Sequence, residues 1–518
     1  MADSLPSPTV ATLLCGVCLL LVHLYYRCRS FYTRSRGRPL PPGPRPLPIV
    51  GNLFDIPKRH PWRIYKELSK QYGKITSFQA MGQTLVVIDD PAIAVELLEK
   101  RSTVYSSRPD SIVVEMLGFR WNVGLMPYGQ GWRSRRRVVW QHFHPGILHR
   151  YNLLLETNAQ RILRRLLAGS ADELEDNIRY SLGTALIQVS YGLEAAEVDD
   201  KHIATFEDAI ESLELLLSGA NILEFLPFLA RLPTWFPGMG ILRRIAHYRQ
   251  AIVAMKDDTW NDAKTAKRSG NAPASVAGAL LEKLSHLDEN VSTQEDLYKE
   301  AVVVAYAAGI DTTYVSLCSF FLAMSLFPNV QKKAREELDV VVGSTRLPTL
   351  ADRPNLPYIG AIVKEVLRWH IATPLGLAHL STADDEYDGF FIPQGSLVMA
   401  NVWSILHNPE KYPQPDAFVP ERFIKDGSLS MDAGDPANFL FGFGRRICPG
   451  RYFAEAALFI YIASVLHTLE ISPPLDEGGR PIHIEPRPTS GLVSQLEDCR
   501  CNVKPRADWA DALIRGSG

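Results

Sequence analysis

One cysteine, Cys448, stands in a stretch whose composition suits a thiolate metal ligand. The stretch Phe441–Gly450 reads FGFGRRICPG, with two arginines shortly before the cysteine and a helical pattern that begins at Arg451. Cations and a helix N-terminus favour the deprotonated thiol, which is the form that binds metals. Phe441 is placed to exclude water, and Gly450 lets the backbone approach a flat ligand. A lone cysteine is most often a small buried apolar residue, but these neighbours predict an axial ligand of a haem iron.

A second chemical pattern lies inside a predicted helix, where Ala307–Thr313 reads AAGIDTT. Gly309 costs about 1 kcal/mol relative to alanine in a helix, and Thr312 can bond back to a carbonyl one turn earlier and bend the helix. A helix weakened beside an acid, Asp311, and a hydroxyl is typical of a site, because both groups can pass protons through water. The alternative is a close helix crossing at small residues.

A third pattern suits a carboxylate. Trp132 and Arg136 are four residues apart and share one face of a predicted helix. An indole N–H and a guanidinium together can bind a carboxylate group. The remaining arginines of this stretch, Arg133, Arg135 and Arg137, lie on other faces, where they form either a docking patch for an acidic electron donor or a solvated surface.

Two predicted helices position these groups. The first starts at a capping box, Ser292–Glu295, and runs to Pro328, so it is about 50 Å long at 1.5 Å per residue. The second, Pro357–Trp369, carries Glu365 and Arg368 at a spacing that allows a direct ion pair.

The whole chain has ordinary globular composition. It has 518 residues, of which 46% are hydrophobic and 22% charged, and this length allows a large core. Its net charge of -2 argues against a nucleic-acid-binding protein. The seven cysteines are sparse and odd in number, so we expect a reducing compartment rather than a disulfide framework. The polar composition after Asn502 predicts a disordered tail.

The N-terminus has the pattern of a membrane anchor. Val10–Tyr26 carries no Asp, Glu, Lys or Arg and is long enough for a membrane-spanning helix. Arginines follow from Arg27 onward, and the positive-inside rule then places the rest of the chain in the cytosol. A cleaved signal peptide is the alternative, but its basic leader and small-residue cleavage site are missing. We therefore expect a membrane anchor at residues 1–30, a basic and proline-rich linker at 31–50, and a catalytic domain at 51–518.

Together these motifs resemble those of the cytochrome P-450 family, over roughly residue 41 to the end of the chain. Phe441, Gly444, Arg446, Cys448 and Gly450 fit the pattern F-x-x-G-x-R-x-C-x-G. The helix motif fits A/G-G-x-D/E-T-T/S, and the W-x-x-x-R and E-x-x-R motifs occur as well. The resemblance implies the fold of that family, mostly α with a small β part.

The resemblance also implies a role for each motif residue. The cofactor is haem b, with Cys448 as its iron ligand. The implied cofactor-binding residues are Cys448, Trp132, Arg136, His379, Arg446, Phe441 and Gly450. Thr312 and Asp311 are implied as catalytic residues. Glu365, Arg368 and Arg422 are implied as a buried structural triad, and the apolar stretch Ser106–Gly131 as part of the substrate pocket.

The implied activity is that of a membrane-anchored, fungal-type haem-thiolate monooxygenase, which inserts one oxygen atom from O2 into a lipophilic small molecule. The sequence contains no flavin or nicotinamide fingerprint, so electrons would come from NADPH through a separate reductase, with cytochrome b5 as an optional partner. We expect a single-pass protein of the endoplasmic reticulum membrane that acts in secondary metabolism, such as terpenoid, polyketide or indole tailoring. The alternatives are a haem-dependent isomerase or dehydratase on the same fold, against which the intact Asp311–Thr312 pair argues, and a non-catalytic haem-binding protein.

Overall fold

The structure, a computed structural model, describes residues 22, 25–26, 29–196, 200–212, 215, 222–270 and 273–516. Most of the predicted membrane anchor, including nearly all of Val10–Tyr26, lies outside the described residues.

Helices make up most of the described chain, in agreement with the predicted fold class. The α-helices are Pro61–Tyr72, Pro91–Ala94, Ser102–Tyr105, Ile112–Leu117, Gln130–Phe143, Asn152–Ala168, Leu174–Tyr191, Lys201–Glu211, Ile222–Phe225, Gly240–Arg268, Val276–Ser285, Val291–Leu326, Pro328–Val341, Pro357–Trp369, Val402–Leu406, Ala437–Leu440, Arg451–Thr468 and Asp508–Gly516. Short 3-10 helices occupy Pro145–Tyr151, Pro227–Arg231, Leu350–Asn355, Pro420–Phe423 and Gly444–Arg446, and one π-helix occupies Val95–Lys100.

The β part consists of one four-stranded sheet and three two-stranded sheets among the described residues. In the larger sheet the strands lie in the order Ile75–Ala80, Gln83–Ile88, Leu397–Ala400 and His379–Leu380. The two-stranded sheets pair Asp385–Tyr387 with Phe390–Ile392, Ile424–Lys425 with Ser428–Leu429, and Leu469–Ser472 with Asn502–Pro505. Gln83–Ile88 runs parallel to Leu397–Ala400 and antiparallel to Ile75–Ala80.

The helix Val291–Leu326 runs through the core and packs against Leu174–Tyr191, Gln130–Phe143 and Arg451–Thr468. Among the described residues it is the one helix long and apolar enough to span a membrane, but most of it is buried inside the domain. Its apolar surface therefore belongs to the protein core.

The predicted capping box at the start of this helix is wrong. The helix begins at Val291, and its N-cap, Asn290, makes no side-chain capping hydrogen bond. The Glu295 carboxylate instead accepts hydrogen bonds from Trp260 Nε1 (2.9 Å) and Lys264 Nζ (2.6 Å). A tertiary contact with a charged partner has displaced the local cap.

The predicted disordered C-terminal tail is also wrong. Asn502–Pro505 forms a strand against Leu469–Ser472, and the helix Asp508–Gly516 follows it. Ala510 and Ile514, one helical turn apart, are fully buried. This small apolar stripe anchors an otherwise polar segment to the body of the protein.

Two further segments differ from the sequence expectation or add to it. The apolar stretch Ser106–Gly131 contains a helix, Ile112–Leu117, whose N-cap Ser111 accepts a hydrogen bond from the Val114 N–H (3.1 Å). Residues 34–44 of the predicted linker lie against the body: the Arg34 guanidinium pairs with Asp384, and Pro42 O accepts the Ser77 N–H (2.8 Å).

Candidate haem-binding site

The cysteine loop presents Cys448 directly before the helix Arg451–Thr468. The Cys448 N–H donates to Phe441 O (2.7 Å), which closes the loop, and the side chain is half-buried. Burial raises the pKa of the Cys448 thiol, although the N–H groups of Gly450 and Arg451 and the Arg136 charge oppose the shift. A bound metal cation would deprotonate such a thiol outright, so the loop suits a thiolate ligand that forms on metal binding.

Gly444 fixes this loop to the rest of the fold. Its φ is +51°, and a Cβ at this position would lie 2.7 Å from Leu98 O and 3.1 Å from the Glu99 Cα. Only glycine allows this close approach to the π-helix Val95–Lys100 without backbone movement. At Gly450, by contrast, an added Cβ would lie 4.0 Å from Cys448 Sγ, which is an ordinary contact.

Arg446 ties the cysteine loop to the apolar stretch Ser106–Gly131. Its guanidinium donates to the carbonyl oxygens of Ser106 (2.6 Å), Val123 (3.1 Å) and Met126 (2.8 Å). It also lies over the Trp132 ring, 4.5 Å from the ring centre, and Trp132 Nε1 donates to the same Val123 O (3.1 Å). Trp132 and Arg446 therefore lie together, and the hydrogen-bond donors of both side chains bind backbone carbonyls.

Arg136 and His379 keep more capacity for a ligand. Arg136 has one hydrogen bond among the described residues, to Ile447 O in the cysteine loop. His379 is buried, and its Nδ1 donates to Tyr105 O (2.6 Å), which leaves Nε2 as the second ring nitrogen.

Arg108 belongs to this group and was not predicted from the sequence. It is buried, with Nε donating to Gly124 O (3.0 Å) and Nη1 donating to Leu377 O and Ala378 O (2.9 Å each). It thereby joins the apolar stretch to the segment that carries His379. The stretch contains a second arginine, Arg120, which is exposed, so no clear signal in the sequence marked Arg108 as the buried one.

The cation cluster formed by Arg108, Arg136 and Arg446 lacks an internal counter-ion. In the part of the chain that the structure describes, none of the three guanidinium groups has a carboxylate within 4.0 Å. Burial, together with the charge of a neighbouring arginine, lowers the pKa of Arg108 to about 9 and that of Arg446 to about 10. Burial, with the charges of Arg108 and Arg446, also lowers the pKa of His379 to about 3. Buried cations require a compensating anion, and the two propionates of haem fit this requirement.

Within residues 301–325, where most side chains are buried, the long helix is open along one stripe. Ala308 is exposed, and Ala305, Gly309 and Thr312 are half-buried, although the neighbouring turns of this helix are enclosed. Gly309 faces the helix Leu174–Tyr191, because an added Cβ would lie 3.0 Å from Leu186 Cδ1. The close-crossing interpretation therefore holds for Gly309, while Ala308 provides the open surface.

Thr312 and Asp311 point to different partners. Thr312 Oγ1 donates to Ala308 O one turn earlier (3.0 Å), as expected for a threonine inside a helix. Asp311 is buried and forms an ion pair with Arg179 (3.2 Å), which lies over the Tyr314 ring. Burial raises the pKa of Asp311 although Arg179 opposes the shift. Arg179 lies 132 residues earlier in the chain, and its pairing could not be found from the sequence.

The helix Gln130–Phe143 connects the two halves of the site. It packs against the long helix, where Arg135 pairs with Glu300, and it reaches the cysteine loop through Arg136. Arg135 is therefore not part of a free docking patch, whereas Arg133 and Arg137 are exposed.

The predicted triad lies behind the site and is closed on itself. Arg368 Nε and Nη2 donate to the Glu365 carboxylate (2.7 and 2.8 Å), and Arg422 Nε lies 3.4 Å from it. Glu365 and Arg368 are fully buried. The same carboxylate accepts the Val419 N–H (2.8 Å), so the triad holds the loop before Arg422 against the helix Pro357–Trp369.

Comparison with known proteins agrees with this geometry. The sequence model of the cytochrome P-450 family matches residues 41–496. The chain belongs to the cytochrome P-450 family. The predicted fold class and family are thereby confirmed.

The chain is also similar to cytochrome P-450 monooxygenases of fungi. It is 37% identical to monooxygenase COX1 of Coprinopsis cinerea over 93% of this chain and 94% of that protein. It is 37% identical to monooxygenase claR of Ampulloclitocybe clavipes, over 99% and 94% of the two chains. It is 37% identical to monooxygenase ple1 of Rhodocybe pseudopiperita, over 93% and 92%. These relatives confirm the predicted enzyme class, an oxidoreductase that incorporates oxygen from O2.

Proposed function

We propose that this cytochrome P-450 is a membrane-anchored haem-thiolate monooxygenase that hydroxylates a lipophilic small molecule. The observation that carries the proposal is the cation cluster of Arg108, Arg136 and Arg446, which lacks an internal counter-ion and adjoins the cysteine loop. A dianionic planar cofactor would balance these charges and bring its metal to Cys448.

Each residue of the site has a separate task in holding the cofactor. Cys448 supplies the thiolate to iron, and the N–H groups of Gly450 and Arg451 stabilise charge on the sulfur. Arg136 and His379 bind the carboxylates, because they retain the most hydrogen-bonding capacity. Haem with a thiolate ligand supplies oxygen activation, since the thiolate favours cleavage of the O–O bond.

The main role of Trp132, Arg446 and Arg108 is to position the backbone around the site, rather than to contact the cofactor directly. Their donors hold backbone carbonyls of the apolar stretch and of the segment before His379. Phe441 lies half-buried at the start of the cysteine loop and limits water near the sulfur.

Thr312 and Asp311 manage protons on the other side of the site. Thr312 is half-buried on the open stripe, so its hydroxyl can release Ala308 O and donate towards a bound ligand. Asp311 holds a raised pKa and is reached from the surface side through Arg179, which suits a group that carries protons inward. We assign proton delivery to this pair.

The substrate is proposed to lie between the open stripe and the apolar helix Ile112–Leu117. Ala308 offers an uncharged surface, and Ile112, Val114 and Met116 are partly buried and pack against the same core. The similarity to fungal monooxygenases supports a role in secondary metabolism, such as terpenoid, polyketide or indole tailoring.

A membrane location is proposed from the surface as well as from the N-terminal sequence. Large apolar side chains are exposed at two places. Ile49 and Phe54 lie at the end of the predicted linker and just after it, and Phe228 and Trp235 lie between the helices Ile222–Phe225 and Gly240–Arg268. Exposed aromatic and aliphatic groups of this size favour contact with a lipid surface. We propose a single-pass anchor in the endoplasmic reticulum, with residues 51–518 as the cytosolic catalytic domain.

Electrons are proposed to come from NADPH through a separate reductase, with cytochrome b5 as an optional partner. Arg133, Arg137 and Arg445 are exposed cations on or beside the cysteine loop and the helix that contacts it. Such charges can attract an acidic electron donor to the side of the protein nearest Cys448.

The test is mass spectrometry of products from microsomes that contain this protein and a reductase. They are fed a mixed library of terpenoids, fatty acids, polyketides and indoles under 18O2, with and without NADPH. A product heavier by one labelled oxygen atom, formed only with NADPH, supports the monooxygenase. Products formed without NADPH would support the alternatives on the same fold: an isomerase if their mass is unchanged, a dehydratase if they are lighter by one water. Bound haem with no product under either condition would support a binding protein.

Two variants connect this test to the site. Cys448→Ala is expected to lose the thiolate spectrum, and retention of that spectrum would remove Cys448 from its role. Thr312→Ala is expected to consume NADPH and release peroxide with less product. Unchanged coupling would contradict the proton-delivery role.

A further inference from the structure

One cavity lies apart from the residues of the haem site. It has a volume of about 250 Å³ and opens between the helix Pro61–Tyr72, the end of the helix Pro357–Trp369, the helix Val402–Leu406 and the loop near Ser494. None of the residues assigned above to iron, propionate or proton contacts lines it. Three of its walls are tryptophans: Trp62, Trp369 and Trp403.

The tryptophan walls are rigidly held. Trp62 and Trp369 are buried, and Trp369 Nε1 donates to Asp416 O (2.8 Å). The Trp403 backbone N–H donates to Pro374 O (3.0 Å). The Trp403 ring stacks on His407 with ring centres 4.6 Å apart, and the cations of Arg63 and Lys66 lie over the ring, 5.6 and 5.1 Å from its centre. Flat aromatic surfaces of this kind favour a flat aromatic ligand.

Two histidines in the cavity have defined hydrogen-bonding roles. His370 Nε2 lies 2.9 Å from Ser494 O, and His407 Nδ1 lies 3.0 Å from Trp403 O. Because a carbonyl oxygen only accepts, these nitrogens must be the protonated ones. His370 Nδ1 and His407 Nε2 are then lone-pair acceptors, and neither has a hydrogen bond among the described residues.

The surroundings keep both imidazoles neutral. Burial lowers the pKa of His370 to about 4 and that of His407 to about 3, and the charges of Arg63 and Arg368 contribute to the respective shifts. The acceptor nitrogens therefore persist at neutral pH. Within the described part of the chain, no third His, Cys, Asp or Glu completes a metal-binding group with them, so an organic ligand fits better than a metal ion.

We propose that this cavity binds a small planar aromatic molecule that carries an N–H or O–H donor, of the indole or phenol class. The tryptophans enclose the ring, and His370 or His407 accepts its hydrogen. The volume lies below the roughly 300–1,000 Å³ of pockets for drug-sized ligands, which limits the ligand to one or two rings. This site is separate from the monooxygenase proposal and does not depend on it.

The test uses fluorine NMR on the full-length haem-loaded protein in detergent. Clotrimazole, which ligates haem iron and is too large for this cavity, first saturates the haem site, as checked by the Soret shift. Two probes are then titrated: 5-fluoroindole, and 5-fluorobenzofuran, which has nearly the same shape without the N–H. We expect saturable broadening with 5-fluoroindole, and about 2- to 13-fold weaker binding of the benzofuran, since one hydrogen bond contributes about 0.5–1.5 kcal/mol.

Variants locate the site. His407→Phe keeps an aromatic ring on Trp403 and removes the acceptor, and His370→Phe does the same at the other position. At least one of them is expected to abolish the preference for indole, while His286→Phe, at an exposed histidine, leaves it unchanged. Absence of saturable binding, equal affinity of the two probes, or a preference that survives in both variants overturns the proposal. If a variant loses its Soret spectrum, the affinities of the two probes for the unmodified protein still test the proposal.

Discussion

The triad at Glu365 and the cation cluster at Arg446 are both buried groups of arginines, but they balance their charge differently. In the triad, Arg368 and Arg422 share the Glu365 carboxylate, so the group is closed within the chain. In the cation cluster, Arg446 and its neighbours contact backbone carbonyls and have no carboxylate among the described residues.

This difference separates structural charge from charge that serves a ligand. A buried ion pair that is complete within the chain needs nothing else, and removing one partner leaves an uncompensated charge. A buried cluster of one sign is incomplete until an anion arrives. The same residue type therefore has different consequences in the two places, and four substitutions examine this contrast.

Glu365→Ala is expected to have the largest effect. It leaves Arg368 buried with no acid, and breaking a buried pair in this way costs about 3–5 kcal/mol. We expect a fall of that size in the free energy of unfolding, measured by denaturant, together with loss of haem incorporation during expression. Glu421→Ala is the control, since Glu421 pairs with Lys333 at the surface. Equal losses from the two changes would show that the triad has no special weight.

Arg136→Gln is expected to act on the haem rather than on the fold. It removes a cation that has one protein hydrogen bond, so the chain loses little, whereas a hydrogen bond to a charged carboxylate contributes about 1.5–3 kcal/mol. Haem loss to apomyoglobin, followed at the Soret band, should be roughly 10- to 100-fold faster. Arg137→Gln on the same helix should leave this rate unchanged. A large loss of folding stability with normal haem retention would place Arg136 with the structural residues instead.

The sequence and the family resemblance indicated all three residues of the triad and every member of the cation cluster except Arg108. Glu365 and Arg368 are three residues apart, and Arg446 lies beside Cys448, so each appears in a short pattern. Arg108 acts through Leu377 O, 269 residues away, and no local pattern predicts that contact. The C-terminal helix was missed for a similar reason, because its few apolar residues become informative only against the surface they pack on.

Long-range contacts also explain the wrong capping box. The spacing of Ser292 and Glu295 is correct for a cap. The fold, however, brings Lys264 close enough to donate a hydrogen bond to the Glu295 carboxylate. The central helix and the cysteine loop follow from periodicity and spacing, and the fold class follows from the family resemblance that the motifs carry. Partners across the fold require the structure.

His379 gives a pH test of the cation cluster. Its folded pKa of about 3 lies below the ordinary value of 6.5, so the unfolded chain binds a proton between these values and the folded chain does not. Stability is then full above pH 6.5 and is lost as the pH falls, by about 1.4 kcal/mol per unit, which gives about 2 kcal/mol at pH 5. In haem-depleted protein, His379→Gln should remove this part of the acid sensitivity.

Haem-loaded protein is expected to be less sensitive to acid than haem-depleted protein. A carboxylate beside His379 favours the protonated imidazole, so the loaded protein should lose less stability between pH 6.5 and pH 5 than the depleted protein. His483→Gln, at an exposed histidine, is the control. Identical pH profiles for His379→Gln and the unmodified protein, both depleted of haem, would mean that His379 is not held neutral by the cluster.

Arg137→Gln is expected to have the smallest effect on the fold and tests a third kind of arginine. Arg137 is exposed and has no ion pair within 4.0 Å among the described residues, so neither a partner nor burial makes its charge costly. The free energy of unfolding should change by less than about 0.5 kcal/mol. If the exposed face attracts an acidic reductase, the rate of reduction at low salt should still fall, and the difference from the unmodified protein should vanish at high salt. Arg135→Gln is the contrast, because Arg135 pairs with Glu300 and its loss should act on stability first. A slower rate that persists at high salt would point to altered packing and would remove Arg137 from the docking surface.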